Sequence, residues 1–305
     1  MLAPTRPTPP DHSDDRQISR REVKIWKLLA AAALVVLTLA SVSYARALLT
    51  PGYATWNDKT SSWIRDHGGG PVLNAYENWR YASPPSDTPP DLSGFTSATA
   101  IAGGTPTSFA TLPVLPTVTG SPAPTWTPGR TGADGTPVAY ISHYQPDPAH
   151  RSAVAGVAIV SGSATVAHLV DGTSQPRTDG NAAASVPGSE VPNLVAAFNS
   201  GWKMKDLAGG YFSNGVARQD LQNGQASAVV DDSGHLSVID WSSGAAVDPH
   251  IVAVRQNLPL IVDHGSIAAG VHSNADSRWG SAKNQLQYTE RSALGTTANG
   301  DLVYV

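Results

Sequence analysis

The chain has 305 residues, a formal net charge of −4, and 24 prolines and 28 glycines. A weakly negative balance gives no reason to expect nucleic acid as a partner, since such a binder needs a clustered basic face. The absence of cysteine excludes disulfides, thiolate metal ligands and cysteine nucleophiles together.

Residues 1–27 read as a disordered cytoplasmic segment, because Met1–Ser19 is rich in Pro, Asp and Ser and has no apolar period. Arg16, Arg20, Arg21, Lys24 and Lys27 then lead into Leu28–Tyr44, an uncharged run of mostly Ala, Leu and Val. With Ile25 and Trp26 it is just long enough to cross a bilayer, so residues 28–49 are expected to form a single-pass membrane anchor. Positive charge before the span predicts that everything after about residue 46 is extracytoplasmic. A cleavable signal peptide is the competing reading, since Ala45-Arg46-Ala47 offers small flanking residues; the long hydrophilic leader favours a retained anchor.

Residues 50–82 show helical spacing of Trp56, Trp63, Ile64, Val72, Leu73, Tyr76 and Trp79, broken at Gly68-Gly69-Gly70. This predicts two short helices, resting on the bilayer interface or packed on the following domain. Residues 83–135 read as a Pro/Gly/Ser/Thr-rich linker, whose apolar patch Phe109–Leu115 could pair with the domain edge.

From residue 136 to 305 the pattern is that of short strands and tight turns. Strands are expected over Val138–Ile141, Val154–Val160, Ala164–Val170, Asn193–Phe198, Ala226–Val230, Leu236–Trp241, Ile251–Arg255, Leu258–Asp263, Arg291–Thr296 and Leu302–Val305. Asp231-Asp232-Ser233-Gly234 and Asn299-Gly300 read as hairpin turns. No long 3.6-residue apolar period follows residue 82, so crossover helices are missing and the sheet should be largely antiparallel. The expected class is α+β: an antiparallel sheet domain after an N-terminal transmembrane helix and a linker. Leu302–Val305 resembles the start of a central strand at which the chain stops, the pattern expected of a shortened gene product.

The stretch Phe198–Asn214 crowds amides, hydroxyls, lysines, glycines and aromatic rings together. Such a mixture places hydrogen-bond donors beside flat apolar walls and suits a sugar or another polyhydroxylated ligand; a Gly-rich surface loop is the alternative. Ser200-Gly201-Trp202-Lys203 matches S-x-x-K, yet no K-T-G follows to complete a penicillin-binding site. The histidines are isolated, so no metal site is expected, and the sequence specifies no cofactor. Asp206, Asp220, Asp240, Asp263 and Glu290 are the candidate acids and bases. Arg255 and Arg291 lie in strand-like apolar contexts, where a guanidinium needs a carboxylate or an anionic ligand.

With these residues in view, Pro137–Val305 resembles the phosphodiester glycosidase family, and within it a membrane-anchored actinobacterial branch. Ala197-Phe198-Asn199-Ser200-Gly201-Trp202 stands where the family has an Asn-Gly-Gly-Phe-Phe-like strand end, followed by Gly209-Gly210-Tyr211-Phe212. Val254–Asp263 is similar to the strand that ends in the family's Leu-Val-Lys/Asp-Gly turn, and Arg291-Ser292-Ala293-Leu294-Gly295 to its Arg-Thr-Ala-Ile-Gly.

The resemblance implies hydrolysis of a sugar phosphodiester or related envelope glycan. It assigns Asp263 as proton donor and Arg291 as a catalytic cation. Asn199, Ser200, Lys203, Lys205, Tyr211, Arg255 and Asn257 become substrate-binding residues. Ser200 and Trp202 depart from the family pattern, and family members continue beyond the position of Val305 into an acidic strand motif. A non-catalytic module that binds envelope glycan is the alternative of a different class.

Overall fold

The computed structural model describes residues 13–50, 55–92, 109, 112–172, 185–204, 207–244, 246–275, 277–280, 288 and 290–305, with backbone alone for 13–22. The chain divides into two compact units, Met1–Leu73 and Asn74–Val305.

In the first unit, α1 (Ser13–Leu49) is one continuous helix of 37 residues. The helix from Ser13 corrects the expected disorder over residues 13–27; the expectation for residues 1–12 lies outside the described residues. Val23–Leu49 is long and apolar enough to cross a membrane, and none of its most apolar window is buried against protein. An apolar helix exposed all round needs lipid or another apolar cover.

Side-chain hydrogen bonds from α1 to the α2 (Trp56–Asp66) region begin at Ser43. Trp63 Nε1 donates to Ser43 Oγ at 3.0 Å, and the hydroxyls of Tyr44 and Thr60 lie 2.8 Å apart. The uncharged run Leu28–Tyr44 spans about 25 Å of helix, close to the thickness of a hydrocarbon core. Lys59 Nζ closes the end of α1 by donating to the carbonyls of Leu48 and Thr50 at 3.0 and 2.8 Å. A cation there satisfies orphan carbonyls and complements the helix dipole. The start of α2 is fixed by a capping box, in which Asp58 N donates to Thr55 Oγ1 and Thr55 N to Asp58 Oδ2. A third helix, α3 (Gly70–Arg80), follows the glycine triplet, so both short helices fall within the expected range.

The second unit is antiparallel throughout its described ladders. One five-stranded sheet has the order β1 (Thr127–Pro128), β2 (Ala139–Tyr144), β3 (Ala155–Val160), β12 (Leu302–Tyr304), β11 (Leu294–Thr296). The other has the order β5 (Val216–Gln219), β4 (Tyr211–Ser213), β8 (Ile251–Gln256), β6 (Ala226–Asp231), β7 (Leu236–Asp240). A separate two-stranded hairpin joins β9 (Val262–Asp263) to β10 (Ser266–Ile267). Among the described residues of this unit, no α-helix follows α3.

Each large sheet has its own small core. Phe109, Tyr140 and Ile159 pack with Leu112, Trp126 and Val303; Leu221, Val229, Trp241 and Val254 pack with Phe212, Val247 and Ile251. Phe109 is 3% exposed, so apolar residues inside the stretch read as a linker are core of the first sheet. The sequence pattern undervalued them because a few aromatic anchors can hold a chain whose average composition is polar.

Two expected strands are absent. Ala164–Val170 alternates in exposure but runs as irregular extended chain, joined to the second sheet by Ala167 N donating to Gly234 O at 2.8 Å. Alternation fixes an extended backbone with an inner face; a ladder also needs a neighbour in register. Asn193–Phe198 is likewise irregular, after a 3-10 turn at Val191–Asn193 that contains Pro192. Leu258–Asp263 forms a strand only at its last two residues.

Candidate functional site

The site is organised by the central strand β8. Tyr211 of β4 pairs with Arg255, and Ser213 of β4 pairs with Ala253. The next residue, Gln256, is fully buried, and its amide meets all its hydrogen-bonding capacity locally. Its Oε1 accepts from Gly210 N at 2.8 Å and Gln222 N at 2.7 Å, while Nε2 donates to Gln222 O and Ser227 Oγ, both at 3.0 Å. A satisfied buried amide of this kind fixes the height at which the following segments cross β8.

Gly210 enters this crossing with no room for a side chain. A Cβ there would meet Asp220 O at 2.4 Å. Gly201 is required for a different reason: its φ of +137° is disfavoured for other residues, and a Cβ would sit 3.1 Å from Asn257 Nδ2. The polar stretch predicted to present ligand-binding groups therefore turns tightly beside β8.

A cleft of about 190 Å³ opens there, lined by Asn199, Ser200, Trp202, Lys203, Tyr211 and Arg255, together with Val170, Gly172, Gly201 and Met204. Five residues singled out in the sequence, Asn199, Ser200, Lys203, Tyr211 and Arg255, thus meet around one space. Asn199 and Ser200 are exposed and make no hydrogen bond with any described residue. Asn257 lies against Gly201 at the edge of this space, and its Oδ1 is buried without a hydrogen-bond partner. Lys205 and Asp206 lie outside the described residues.

Arg255 is the unusual member. Its side chain is 5% exposed, and its two terminal nitrogens donate to the main-chain carbonyls of Gln256 and Trp202. No carboxylate among the described residues pairs with it. Burial pushes its pKa below the usual guanidinium value, opposed by the nearby Tyr211. A guanidinium has five N–H groups, so donors remain after two carbonyls are served. A buried cation that has spare donors and no carboxylate partner among the described residues is physically suited to receive an anion.

Tyr211 is 2% exposed and donates its hydroxyl to Asp171 Oδ1. Burial, then this hydrogen bond, raises the phenol far above its ordinary pKa, so it stays a neutral donor. The other carboxylate oxygen of Asp171 lies 3.8 Å from Arg218 Nε. Asp171 adjoins Val170 and Gly172 of the cleft wall, and sequence reading missed it because Asp171-Gly172 has the form of an ordinary turn.

Arg291 and Asp263 have different fates. Arg291 is exposed, donates to Glu290 O at 2.7 Å, and holds its guanidinium carbon 5.8 Å from the Trp202 ring centroid. It therefore contacts a residue of the cleft wall without lining the cleft itself. Asp263, expected to supply the proton, is on the exposed β9–β10 hairpin and contacts its neighbour, with Oδ1 2.7 Å from His264 Nδ1. It does not line the cleft, because Leu258–Ile261 leaves the sheet before reaching it.

Among the described residues no group of three His, Asp or Glu is placed to hold a metal ion. Compared with known proteins, the chain matches no family model, no curated protein and no solved structure.

Proposed function

We propose that this chain is a membrane-tethered extracytoplasmic protein of the phosphodiester glycosidase type, whose cleft receives the phosphodiester of a sugar or envelope glycan. The observation that carries the reading is Arg255, a buried guanidinium at the wall of a polar cleft that pairs with no carboxylate among the described residues. A phosphodiester supplies the missing negative charge and accepts the remaining N–H groups. Asn199 and Ser200 offer uncommitted polar atoms for sugar hydroxyls, and Trp202 offers a flat face for the ring. The basic residues ahead of the apolar helix orient the domain outside the cytoplasm.

In this reading hydrolysis at the anomeric centre uses Asp171, a carboxylate held by the cleft residue Tyr211 and placed in sequence between Val170 and Gly172 of the cleft wall. A non-catalytic glycan-binding module is the second reading. It is favoured by one observation: none of the described residues that line the cleft is itself a carboxylate.

The test uses the full chain in lipid nanodiscs with the methyl phosphodiester of an N-acetylhexosamine 1-phosphate. Binding that is lost in Arg255→Gln, with sugar released by the parent and not by Asp171→Asn, supports the glycosidase. Binding without release supports the module. A folded parent protein that does not bind the phosphodiester overturns both.

A further inference from the structure

A second pocket of about 340 Å³ adjoins the cleft and differs from it in chemistry. It is bounded by Ala167, Leu169, Val170, Val230, Val252 and Ala253, with Ser213 on its floor. Its volume falls at the lower end of the range for ligand pockets, about 300–1,000 Å³. The His168–Glu190 pair, 3.3 Å apart and half exposed, marks its rim.

The two spaces are successive positions on one sheet face. Tyr211 and Arg255, a cross-strand pair, line the polar cleft; Ser213 and Ala253, the next pair on the same side, line the apolar pocket. Residues two apart along a strand point to the same face and lie about 7 Å apart. The extended segment Ala167–Gly172 runs past both, and Val170 belongs to both linings. This gives the segment a use that its lack of a ladder otherwise leaves unexplained: an extended chain without a sheet partner stands as a wall and leaves the sheet face open.

We infer that the cleft and the pocket are two halves of one site for an amphiphilic phosphodiester, in which one ester group is a sugar and the other an alkyl or isoprenoid chain. The inference rests on the reading of the cleft as a phosphodiester site. The phosphate lies at Arg255, the sugar toward Asn199, Ser200 and Trp202, and the first carbons of the chain over Ser213 and Ala253. A ligand with two polar ester groups leaves the pocket's aliphatic lining in contact with water. A lipid-linked one covers it, each buried methylene strengthening binding about fourfold.

The experiment measures binding of methyl, butyl and hexyl phosphate to the full chain in nanodiscs, with empty nanodiscs correcting for partition. Hexyl phosphate should bind at least tenfold more tightly than methyl phosphate. Leu169→Asn, which makes the pocket wall polar, and Ala167→Leu, which fills the pocket, should each remove most of that gain while leaving methyl phosphate binding within about twofold. Equal binding of the three phosphates by the parent protein overturns the inference and leaves the anion cleft standing. A gain that survives both substitutions also overturns it, because the chain then lies elsewhere. Failure of methyl phosphate to bind overturns the phosphodiester reading itself, and this inference with it.

Discussion

The guanidinium carbon of Arg291 lies 5.8 Å from the centroid of the Trp202 ring, so an exposed cation is held against a residue that lines the polar cleft. A cation over an indole contributes about 0.5–1 kcal/mol at exposed sites. A double-mutant cycle of Trp202→Ala and Arg291→Ala, read by calorimetric affinity for a sugar 1-phosphate, should give a coupling of that size. Trp202→Ala alone should weaken binding roughly five- to thirtyfold, on the scale of a lost aromatic contact. Additive effects of the two substitutions exclude the contact from the site.

Arg255→Met should separate stability from binding. The wild-type residue holds a desolvated charge with two carbonyl partners and no counter-ion among the described residues, an arrangement that apolar replacements of similar volume often improve. Thermal unfolding should occur at an unchanged or higher temperature, while affinity for inorganic phosphate falls at least tenfold. A fall in both would make Arg255 a structural residue.

Gly210→Ala should be among the most damaging single substitutions in the second sheet. The added methyl would lie 2.4 Å from Asp220 O and 2.7 Å from Leu221 Cα, both main-chain atoms that a side-chain rotation cannot move. Overpacking against backbone costs about 1–3 kcal/mol, often more where a buried hydrogen bond such as Gly210 N to Gln256 Oε1 shifts with it. Gly156→Ala in β3, where a Cβ meets nothing within 4 Å, is the matched control and should unfold at the parent's denaturant midpoint or above it.

His250 should titrate above the ordinary histidine value. Its ring nitrogen lies 2.7 Å from Asp232 Oδ2, and that hydrogen bond first, then the charges of Asp232 and Asp248, favour the imidazolium. Because the folded value is raised, the contribution to stability is complete below the unfolded value of about 6.5 and disappears as pH rises through the folded one. Proton NMR of the imidazole should show the raised midpoint and its return toward the ordinary value in Asp232→Asn. An unchanged midpoint in the variant excludes the pairing.

The parts of the fold legible in the sequence are those written locally. Asp231 accepts from Ser233 N, Ser233 Oγ and His235 N at 2.9, 2.6 and 3.0 Å, so the β6–β7 turn is built by the residues that occupy it. The β11–β12 turn at Asn299-Gly300 is also closed locally, by Gly300 N donating to Thr297 O at 3.0 Å and Asp301 N to Thr297 Oγ1 at 3.1 Å. The glycine triplet after α2 and the apolar run of α1 are equally local.

Ladders are not local. Ala164–Val170 has the alternation of a strand and no strand beside it; Phe109 sits in polar sequence and reaches a core through tertiary contacts. The cleft divides along the same line. Arg255 was recognisable as a costly cation in an apolar strand, and Asn199, Ser200 and Lys203 as a polar cluster next to aromatics. Asp171 was not, since its meeting with Tyr211 joins residues 40 apart in the chain. Asp263 misled because the end of an apolar run suggests a strand mouth, whereas Leu258–Ile261 departs from the sheet.

The short segment from Phe198 to Trp202 is fastened at both ends, each time to a different sheet. Phe198 stacks on Tyr304 of β12 with ring centroids 4.7 Å apart, and the carbonyl of Trp202 receives Arg255 of β8. Any motion that slides one sheet over the other must release one of these attachments. An anion that engages the remaining N–H groups of Arg255 therefore acts on a residue that also tethers this segment, and so on sheet-to-sheet docking as well as on the cleft. Ligand occupancy should then be readable far from the ligand, as a changed rate of amide hydrogen exchange at Val303 and Tyr304.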